Sequence, residues 1–421
     1  MLHAVDVTLD GTSQRKLSKP TTKQQSSTEK PPAIAVLPFT NMSGDSEQEY
    51  FADGITEDII TNLSLWKTFP VISRNSSFTY KGKNINVKEA ANELGVRYIV
   101  EGSVRKGGNK VRITAQLIDA FEDHHLWSKK WDRSLDDIFE VQDEVSSSIA
   151  ALVSPAVKNK EETRIVKIQT TNMSAWDEYL RGLSCYNNHQ PSEEVKKHSF
   201  KSIELDENLS DAYILICNSL YQEIYGSYGA TRGADRESKE EEFHRYALKS
   251  YQLDPENPEA LIALSRSYNM NKDFKNRIEF MKKALEINPN HADANYEYGL
   301  SLTTNKDFED AKNYVLNGLE LNPYQQRYYP PILCCIGLEE YEEAIEYCNK
   351  SLEVDPDFTG AYGWKASMLG NLNRLEQAQE VLKKYLELRP EIKTLKYYEK
   401  VAPIVIKEIL LEGLKKAGLP E

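Results

Sequence analysis

The sequence predicts an α/β domain in the order βαβαβββα, followed by an all-α solenoid of stacked helical hairpins. Two observations predict this division. A phrase of the type SLEVDP returns through the second half of the chain. Its closing prolines are Pro255, Pro289, Pro323, Pro356 and Pro390, at intervals of 34, 34, 33 and 34 residues. The first half instead shows short apolar runs with period-two alternation, which is typical of strands. A fixed period of about 34 residues indicates helix pairs that bury their apolar faces by stacking.

Length and composition set the domain plan. The 421 residues leave room for about two or three domains. We predict a polar leader over 1–32, the α/β domain over 33–155, a linker over 156–174, helical repeats over 175–390 and capping helices over 391–421. A formal net charge of −13 argues against a nucleic-acid-binding surface, because neutralising phosphates needs clustered lysine and arginine. The five cysteines form no CxxC pair, which favours reduced thiols in the cytoplasm.

The leader carries no targeting signal that we recognise. The stretch GTSQRKLSKPTTKQQSSTEKPP, over 11–32, is polar and is predicted to be disordered. The first ten residues, MLHAVDVTLD, contain two acids and lack the charged and then apolar pattern of a secretory signal. No apolar run reaches the roughly 18 residues that a membrane span requires. We therefore expect a cytoplasmic protein without a membrane span.

The first elements of the α/β domain alternate between strand and helix. The apolar run IAVLPF, over 34–39, predicts a buried strand. The stretch EYFADGITEDIITNLSLW then predicts an amphipathic helix, with Phe51, Ile55 and Ile59 on one face. FPVISR, over 69–74, predicts a second strand. A second helix is expected over 87–96, ending near Gly95.

The second half of this domain is predicted to be antiparallel. Three segments with period-two alternation follow, namely RYIVEGSVR, KVRITAQLID and HHLWSKKWDR. Gly107 and Gly108 join the first two segments in a hairpin turn. A last helix should begin near Ile138. His124 and His125 are adjacent on a strand and point to opposite faces, so we predict no metal site there, and no cofactor.

The repeated segment resembles the tetratricopeptide repeat. Small residues such as Gly299 and Ala311 stand where two helix axes must approach, and a proline closes each unit. About six repeats are expected, one of them with an insertion at 223–242. Because Pro330 and Pro331 stand where a first helix should run, that helix is predicted to begin at or just after Pro331.

The α/β domain resembles the TolB amino-terminal-like domain. The phrases that carry the resemblance are IAVLPFTNMSGDSEQEYFADGITEDIITNLS, VISRNSSFTYKG, ELGVRYIVEGSVRK, VRITAQLIDA, HLWSKKWDR and DIFEVQDEV, together with the ending LLEGLKKAGLPE. The resemblance implies the regulatory half of bacterial class III adenylate or guanylate cyclase-like proteins and of winged-helix regulators. In those relatives a catalytic or DNA-binding domain precedes this one. The leader over 1–32 cannot hold the paired metal-binding aspartates of a cyclase, so cyclase activity is not carried over.

Two segments are candidate binding sites. VISRNSSFTYKG leaves a predicted strand end, where ligand crevices of α/β sheets lie, and it offers a polar set for a small ligand. That set is Arg74, Asn75, Ser76, Ser77 and Lys81. A loop capped by its own serine and asparagine side chains is the alternative.

The second candidate is the inner groove of the repeats, lined by the first helix of each unit. The residues predicted to face it are Asn218, Ile262, Arg266, Asn269, Tyr296, Leu300 and Thr303. This mixture of apolar, amide and cationic groups suits an extended or helical peptide. A dicarboxylate clamp is not expected, because its lysine and asparagine positions hold other residues.

These observations favour a non-enzymatic adaptor whose repeats bind a partner protein while the α/β domain docks or senses a ligand. No nucleophile and base motif of the GxSxG or HExxH type is present, so no catalytic residue is predicted. The alternative is a component of cyclic-nucleotide signalling that lacks its own catalytic domain. A transferase that chooses its substrate through the repeats is a third and weaker hypothesis.

Overall fold

A computed structural model describes residues 33–66, 69–83, 86–153, 172–225, 234–323 and 327–421. The predicted leader over 1–32 and most of the predicted linker lie outside these residues. By internal contacts the chain divides into two units, Met1–His291 and Ala292–Glu421. The first holds the α/β domain and three helical hairpins. The second holds three more hairpins and the carboxy-terminal helices.

The α/β domain is built on a mixed five-stranded sheet in the order β1-β3-β4-β5, with β2 also paired to β3. Its strands are β1 (Ile34–Val36), β2 (Thr40–Asn41), β3 (Tyr98–Gly107), β4 (Lys110–Asp119) and β5 (His124–Ser134). Strands β1 and β2 run parallel to β3, whereas β3, β4 and β5 are antiparallel. The predicted glycine turn joins β3 to β4, with Gly108 in the left-handed region at a φ of 59°. The mixed sheet and its hairpin confirm the predicted fold class of this half.

Four helices accompany the sheet: α1 (Glu49–Ser64), α2 (Arg74–Ser77), α3 (Val87–Leu94) and α4 (Ile138–Val153). Helix α3 ends at Gly95, whose φ of 70° and backbone bond to the Ala91 carbonyl form a left-handed cap, as predicted. The domain core lies between the sheet and helices α1 and α4, and it contains Ile59, Ile113, Leu117, Trp131 and Val145.

The predicted second strand, over 69–74, is the one element of this domain that differs in kind. The segment makes a single parallel bridge between Val71 and Ile34. Two backbone bonds hold it, from Ile34 to the Pro70 carbonyl and from Ile72 to the Ile34 carbonyl. Pro70 has no N–H to donate, and Ser73 already precedes α2, so the segment is too short for a strand.

The first unit continues with three antiparallel helix pairs. They are α5 (Met173–Asn187) with α6 (Ser192–Leu205), α7 (Ser210–Tyr225) with α8 (Ala234–Leu253), and α9 (Pro258–Met270) with α10 (Phe274–Ile287). Helix α8 has 20 residues, against 14 in each of α6 and α10, so part of the predicted insertion lengthens a helix. The remainder of the insertion, 226–233, lies outside the described residues.

The second unit repeats the same plan. Its pairs are α11 (Ala292–Thr303) with α12 (Phe308–Leu321), α13 (Tyr329–Gly337) with α14 (Tyr341–Val354), and α15 (Gly360–Asn371) with α16 (Leu375–Leu388). Two further helices follow, α17 (Leu395–Tyr398) and α18 (Lys407–Lys416). The stacked hairpins confirm the predicted solenoid.

Helix α13 corrects the predicted position of its start. It begins at Tyr329, before Pro330 and Pro331, and therefore carries both prolines in its first turn. The first N–H groups of a helix have no partner within the helix, so proline costs little there. Both prolines are buried.

Candidate functional site

Helix α1 lies against the first helical hairpin and shares a core with it. The Trp176 side chain of α5 is 1% exposed and stands edge-on to two rings of the α/β domain. Its ring centroid lies 5.6 Å from that of Phe51 and 5.0 Å from that of Phe139. One helical turn further along α5, Leu180 fills the space above Gly54, where an added Cβ would lie 2.6 Å from the leucine Cδ2. The α/β domain and the first hairpin are therefore one packed body.

A polar cluster covers the edge of this shared core. The Tyr50 hydroxyl donates to Asp177 Oδ1 at 2.6 Å, and the Arg181 guanidinium donates to the Tyr50 oxygen at 2.9 Å. Lys106 Nζ lies 3.3 Å from the same Asp177 oxygen. Burial and the bond to Asp177 both raise the pKa of Tyr50, so this phenol stays protonated and keeps its donor role.

The other end of α1 is fixed by two asparagines that follow helix α10. Asn288 Nδ2 donates to Ser64 Oγ at 2.9 Å. Asn290 Nδ2 lies within hydrogen-bond distance of the carbonyl oxygens of Ser64, Trp66 and Phe69, at 2.9, 3.0 and 3.2 Å. These acceptors include carbonyls that the end of a helix leaves without intrahelical partners. Helix α1 thus contacts residues of both the first and the third hairpin.

The predicted ligand loop uses most of its polar groups inside the protein. Arg74 Nε donates to Glu57 at 2.9 Å, and its guanidinium lies 3.9 Å from the centre of the Phe78 ring. Lys81 forms an ion pair with Asp53. The loop serines, Ser76 and Ser77, are 0% exposed, and Asn75 is exposed. The loop as a ligand site stays a prediction, with Asn75 and Lys81 as its exposed residues.

The groove residues predicted in the first unit divide by exposure. Ile262 is 1% exposed. It belongs to the interior, because helix α9 is buried around most of its circumference. This burial corrects its predicted place on the groove surface. Asn218, Arg266 and Asn269 keep partial exposure. Arg277 Nη1 donates to Asn269 Oδ1 at 2.9 Å, which connects the predicted residues to a neighbouring cationic group.

Arg277 belongs to a cluster of arginine and tyrosine side chains. We call it the arginine–tyrosine patch, and it comprises Tyr221, Tyr225, Arg236, Arg266 and Arg277. The two tyrosine rings lie 4.9 Å apart. The Arg266 guanidinium lies 4.7 Å from the Tyr221 ring centre, and that of Arg236 lies 5.0 Å from the Tyr225 ring centre. The Arg277 charge acts on the Tyr225 hydroxyl, although burial has the larger effect and raises its pKa. Three guanidinium groups thus lie near two phenol rings that are tilted by 42° to each other.

The groove residues predicted in the second unit are largely covered. Tyr296 is 9% exposed and Thr303 is 2% exposed, so the threonine side chain offers almost no surface, against prediction. Its hydroxyl donates to the Leu300 carbonyl at 2.7 Å, which is the local bond that a threonine near a helix end commonly makes. The guanidinium of Arg327 lies 5.6 Å from the Tyr296 ring centre.

Helix α18 packs directly on helix α15 in the second unit. A Cβ added at Gly413 would lie 2.0 Å from the Ser367 carbonyl oxygen, and one added at Gly370 would lie 2.1 Å from the Gly413 oxygen. The Ser367 hydroxyl donates to the Leu410 carbonyl at 2.9 Å, and Asn371 Nδ2 donates to the Ile409 carbonyl at 3.1 Å. The carboxy-terminal helix therefore occupies a face of the last hairpin.

One group of three metal-ligand side chains occurs among the described residues, and it already holds a cation. Cys335, Glu340 and Glu343 offer ligand atoms within 4.8 Å of one another. The Lys312 ammonium lies between the two carboxylates, at 2.6 and 2.7 Å. Burial raises the pKa of Cys335 to about 12, so its thiol stays protonated and is a poor ligand. This arrangement is a lysine–carboxylate network.

Comparison with known families agrees with the helical plan. The family model described as "Tetratricopeptide repeat" matches residues 258–291, 333–358 and 359–392. The chain contains tetratricopeptide repeats. The matched segments coincide with α9 and α10, with α14 and most of α13, and with α15 and α16. Hairpins outside the matched segments follow the same helical plan.

The relatives cover parts of the chain. A protein named "Putative adenylate cyclase 3" from Rhizobium meliloti (strain 1021) is 46% identical over 184 residues, which are 43% of this chain and 31% of that protein. The chain therefore spans less than a third of that relative. YrrB, described as a tetratricopeptide-repeat protein with an unusual peptide-binding site, is 20% identical, with a TM-score of 0.37 over 46% of this chain and 92% of its own. TolB from Acinetobacter baumannii is 20% identical, with a TM-score of 0.25 over 30% of this chain and 29% of its own.

Across the described ranges, no helix combines the length and the apolar character needed to cross a membrane.

Acidic groups where α1 meets α4 and the repeats should make the stability of the first unit depend on pH. Burial raises the pKa of both Asp211 and Asp143 to about 6. Asp58 shifts in the same direction, again through burial. A folded-state pKa above the unfolded value contributes stability that is present below about pH 4 and is lost as the pH rises through about 6.

We therefore expect the Asp211→Asn variant to lose less stability than the native protein between pH 5 and pH 7.5. After allowance for solvent screening, the difference should be on the order of 1 kcal/mol. Urea unfolding at the two pH values measures it, and Asp235→Asn, an exposed change on α8, serves as the control. Equal pH dependence in all three proteins would contradict the assignment.

Proposed function

We propose that this protein is a non-enzymatic regulatory scaffold whose tetratricopeptide repeats bind a partner protein at the arginine–tyrosine patch. The observation that carries the proposal is the convergence of Arg236, Arg266 and Arg277 on two neighbouring tyrosine rings in a chain with a net charge of −13. Arg236 also pairs with Glu240 at 2.8 Å. A guanidinium that lies over an aromatic ring can bind carboxylates with defined geometry.

The chemistry of the patch indicates the kind of segment it binds. Tyr225 is 41% exposed and presents an aromatic surface beside the guanidinium groups. Tyrosine and arginine are enriched among the residues that carry most of the binding energy of protein interfaces. We therefore propose a peptide segment that places one carboxylate beside an apolar or aromatic side chain.

The α/β domain has a different proposed role. Because α1 is held by Trp176 at one end and by Asn288 and Asn290 at the other, the domain stiffens the first three repeats. A stiff surface loses less conformational entropy on binding. The domain would thus keep the patch in its binding geometry.

The five free cysteines support a reducing compartment such as the cytoplasm.

The experiment compares partner capture by matched arginine variants. Full-length protein is immobilised and exposed to extract from the source organism. We expect a partner that remains on the Arg112→Ala/Arg133→Ala control, which removes two arginines from the sheet, and falls at least about tenfold on Arg266→Ala/Arg277→Ala. Circular dichroism establishes that both variants are folded. Equal recovery on both variants would remove the patch as the binding site.

A second candidate is a component of cyclic-nucleotide signalling. The 46% identity to the Rhizobium meliloti protein favours it, because that protein is named as an adenylate cyclase. In the described part of the chain, the one group of three ligand-type side chains within 4.8 Å of one another, Cys335, Glu340 and Glu343, already surrounds the Lys312 ammonium. We propose a regulatory role rather than catalysis. Purified protein should form no cyclic AMP from ATP with Mg²⁺ or Mn²⁺, and measurable formation would reverse this assignment.

A further inference from the structure

A cleft of about 410 Å³ opens on the α/β domain between helix α3 and the turn that joins β4 to β5. Ligand pockets in proteins commonly have volumes of about 300–1,000 Å³, so a small organic molecule fits this space. Its lining, which we call the α3 cleft, combines two cations and an amide with apolar side chains. The seven residues are Lys88, Ala91, Asn92, Val96, Arg97, Ala120 and Phe121. None of them belongs to the predicted ligand loop or to the arginine–tyrosine patch.

Backbone hydrogen bonds hold the three parts of the cleft wall together. The Val96 N–H donates to the Ala91 carbonyl at 3.0 Å, which connects the segment before β3 to helix α3. The Ala120 N–H donates to the Arg97 carbonyl at 3.0 Å, which connects the turn between β4 and β5 to the same segment. A wall fixed in this way is formed before a ligand arrives, so binding loses less conformational entropy.

The Arg97 guanidinium is held in the cleft by a buried carboxylate. Its Nε and Nη2 atoms donate to Asp119 Oδ2 at 2.9 and 2.8 Å, and the Asp119 side chain is 3% exposed. Asp119 Oδ1 accepts the N–H groups of Phe121 and Glu122 at 3.1 and 3.3 Å. Within the described ranges, Arg97 Nη1 has no hydrogen-bond acceptor. The orientation of the guanidinium is therefore fixed, while one of its nitrogens stays available to a ligand.

Lys88 adds a positive charge that its own helix does not explain. It lies in the first turn of α3, where the helix dipole disfavours a cation. Its ammonium forms no ion pair with the residues that the structure describes. Lys88 and Asn92 are four residues apart, so they are neighbours on the same face of α3. The cationic and amide groups of this helix thus face one side of the cleft.

The charge of the cleft favours a ligand with one negative charge. Asp119 balances Arg97, which leaves the charge of Lys88 uncompensated in the lining. Glu122 lies 3.7 Å from Arg97 Nη2, but its side chain is 57% exposed, so water screens its charge. A dianion would exceed the positive charge that is available. A carboxylate matches it and forms directed hydrogen bonds with a guanidinium.

Phe121 supplies an apolar wall that the protein leaves in water. The ring lies in the turn between β4 and β5 and is 81% exposed. The small side chains of Ala91 and Ala120 line the same cleft and leave space beside it. Covering apolar surface is favourable in proportion to the area removed from water, and contact between aromatic rings adds to it. A ligand with a planar apolar body would gain both contributions.

We propose that the α3 cleft binds a small aromatic monocarboxylate. The carboxylate lies between the Lys88 ammonium and the Arg97 guanidinium, with the Asn92 amide as a further donor. The planar body lies against Phe121. The α/β domain would then recognise a small organic acid at a site that is separate from the arginine–tyrosine patch. This inference does not depend on the proposed partner binding.

Ligand-observed NMR of the full-length chain tests the site with naphthylacetate and with its neutral amide, naphthylacetamide. The two probes share the apolar body and differ in the charge of one end. We expect saturable one-to-one binding of the acid. The affinity for the amide should be at least about tenfold lower, because it cannot form charge-assisted hydrogen bonds with Lys88 and Arg97. Acetate, which lacks the apolar body, should also bind at least about tenfold more weakly than naphthylacetate.

Two substitutions at exposed residues test the two parts of the site. Lys88→Gln removes the uncompensated charge and should weaken naphthylacetate binding about fivefold. Phe121→Ala removes the apolar wall and should also weaken it about fivefold. Lys110→Gln, an exposed change at the opposite end of β4, is the control and should keep the native affinity. Arg97 is left intact, because its removal would leave the Asp119 carboxylate buried without its partner.

The possible results lead to different conclusions. Binding of the acid that both cleft variants weaken and the control retains supports the site. Absence of saturable binding overturns it, and so does equal affinity for the acid and the amide or for the acid and acetate. Native affinity in a folded Lys88→Gln or Phe121→Ala variant, with folding established by circular dichroism, also overturns it. The comparison of the probes uses the native protein, so it decides the matter even where a variant does not fold.

Discussion

Replacing Trp176 by alanine should lower the free energy of unfolding of the first unit by about 3–5 kcal/mol, which is the usual cost of removing a fully buried large aromatic side chain. The indole is 1% exposed and stands edge-on to Phe51 and Phe139. Edge-on aromatic pairs add stability beyond the buried area alone. The cavity would open where the α/β domain meets the first repeat, so both should lose stability together.

Urea unfolding followed by far-ultraviolet circular dichroism measures this loss. Limited proteolysis at low urea then reports where the chain opens first. Phe121→Ala is the matched control, because that ring is 81% exposed and its removal should change the stability by less than about 0.5 kcal/mol. An unfolding midpoint in Trp176→Ala equal to that of the control would show that the α/β domain and the repeats do not depend on each other.

The parts of the fold that the sequence predicts well are those with local or strictly periodic causes. The prolines at 34-residue spacing mark where a helix ends before the next hairpin begins. Gly95 and Gly108 adopt the left-handed conformations that their positions indicate. Strand β4 alternates more and less buried residues over most of its length, whereas β5 buries only Trp131 and the burial of β3 is irregular. The segment over 69–74 has the composition of a strand but loses that role to Pro70 and to the start of α2.

The candidate sites were harder to predict, because they depend on which distant surfaces meet. Arg266 and Asn269 are positioned by the period of the repeats, and the sequence predicts both as groove residues. Arg277 belongs to a second helix and Arg236 lies within the predicted insertion over 223–242, so a rule that considers only the first helix of each repeat omits them. Counting arginines near exposed tyrosines across the insertion would have been the available signal.

The position of α1 against the repeats had no comparable signal. Asn288 and Asn290 occur in an ordinary proline-containing turn, and their bonds to α1 span more than 200 residues of sequence. Glu57 and Asp58 follow the polar face of an amphipathic helix, which by itself indicates solvent. Their partial burial arises because a second folded surface covers that face. Long-range packing of this kind changes the meaning of a polar residue without changing the local pattern.

Replacing Gly413 by valine should detach α18 from α15 and lower the stability of the second unit by about 3 kcal/mol. Even a Cβ would lie 2.0 Å from the Ser367 carbonyl oxygen, a backbone atom that cannot move without disturbing the whole helix. Separation would also remove the bonds that Ser367 and Asn371 donate to the carbonyls of α18. Lys416→Ala, on the same helix and paired with Glu412 at the surface, should change stability by less than about 1 kcal/mol. Hydrogen exchange of α15 and α18 distinguishes the two variants. We expect faster exchange in both helices of Gly413→Val and native rates in Lys416→Ala, and native protection of α18 in the valine variant would contradict this packing.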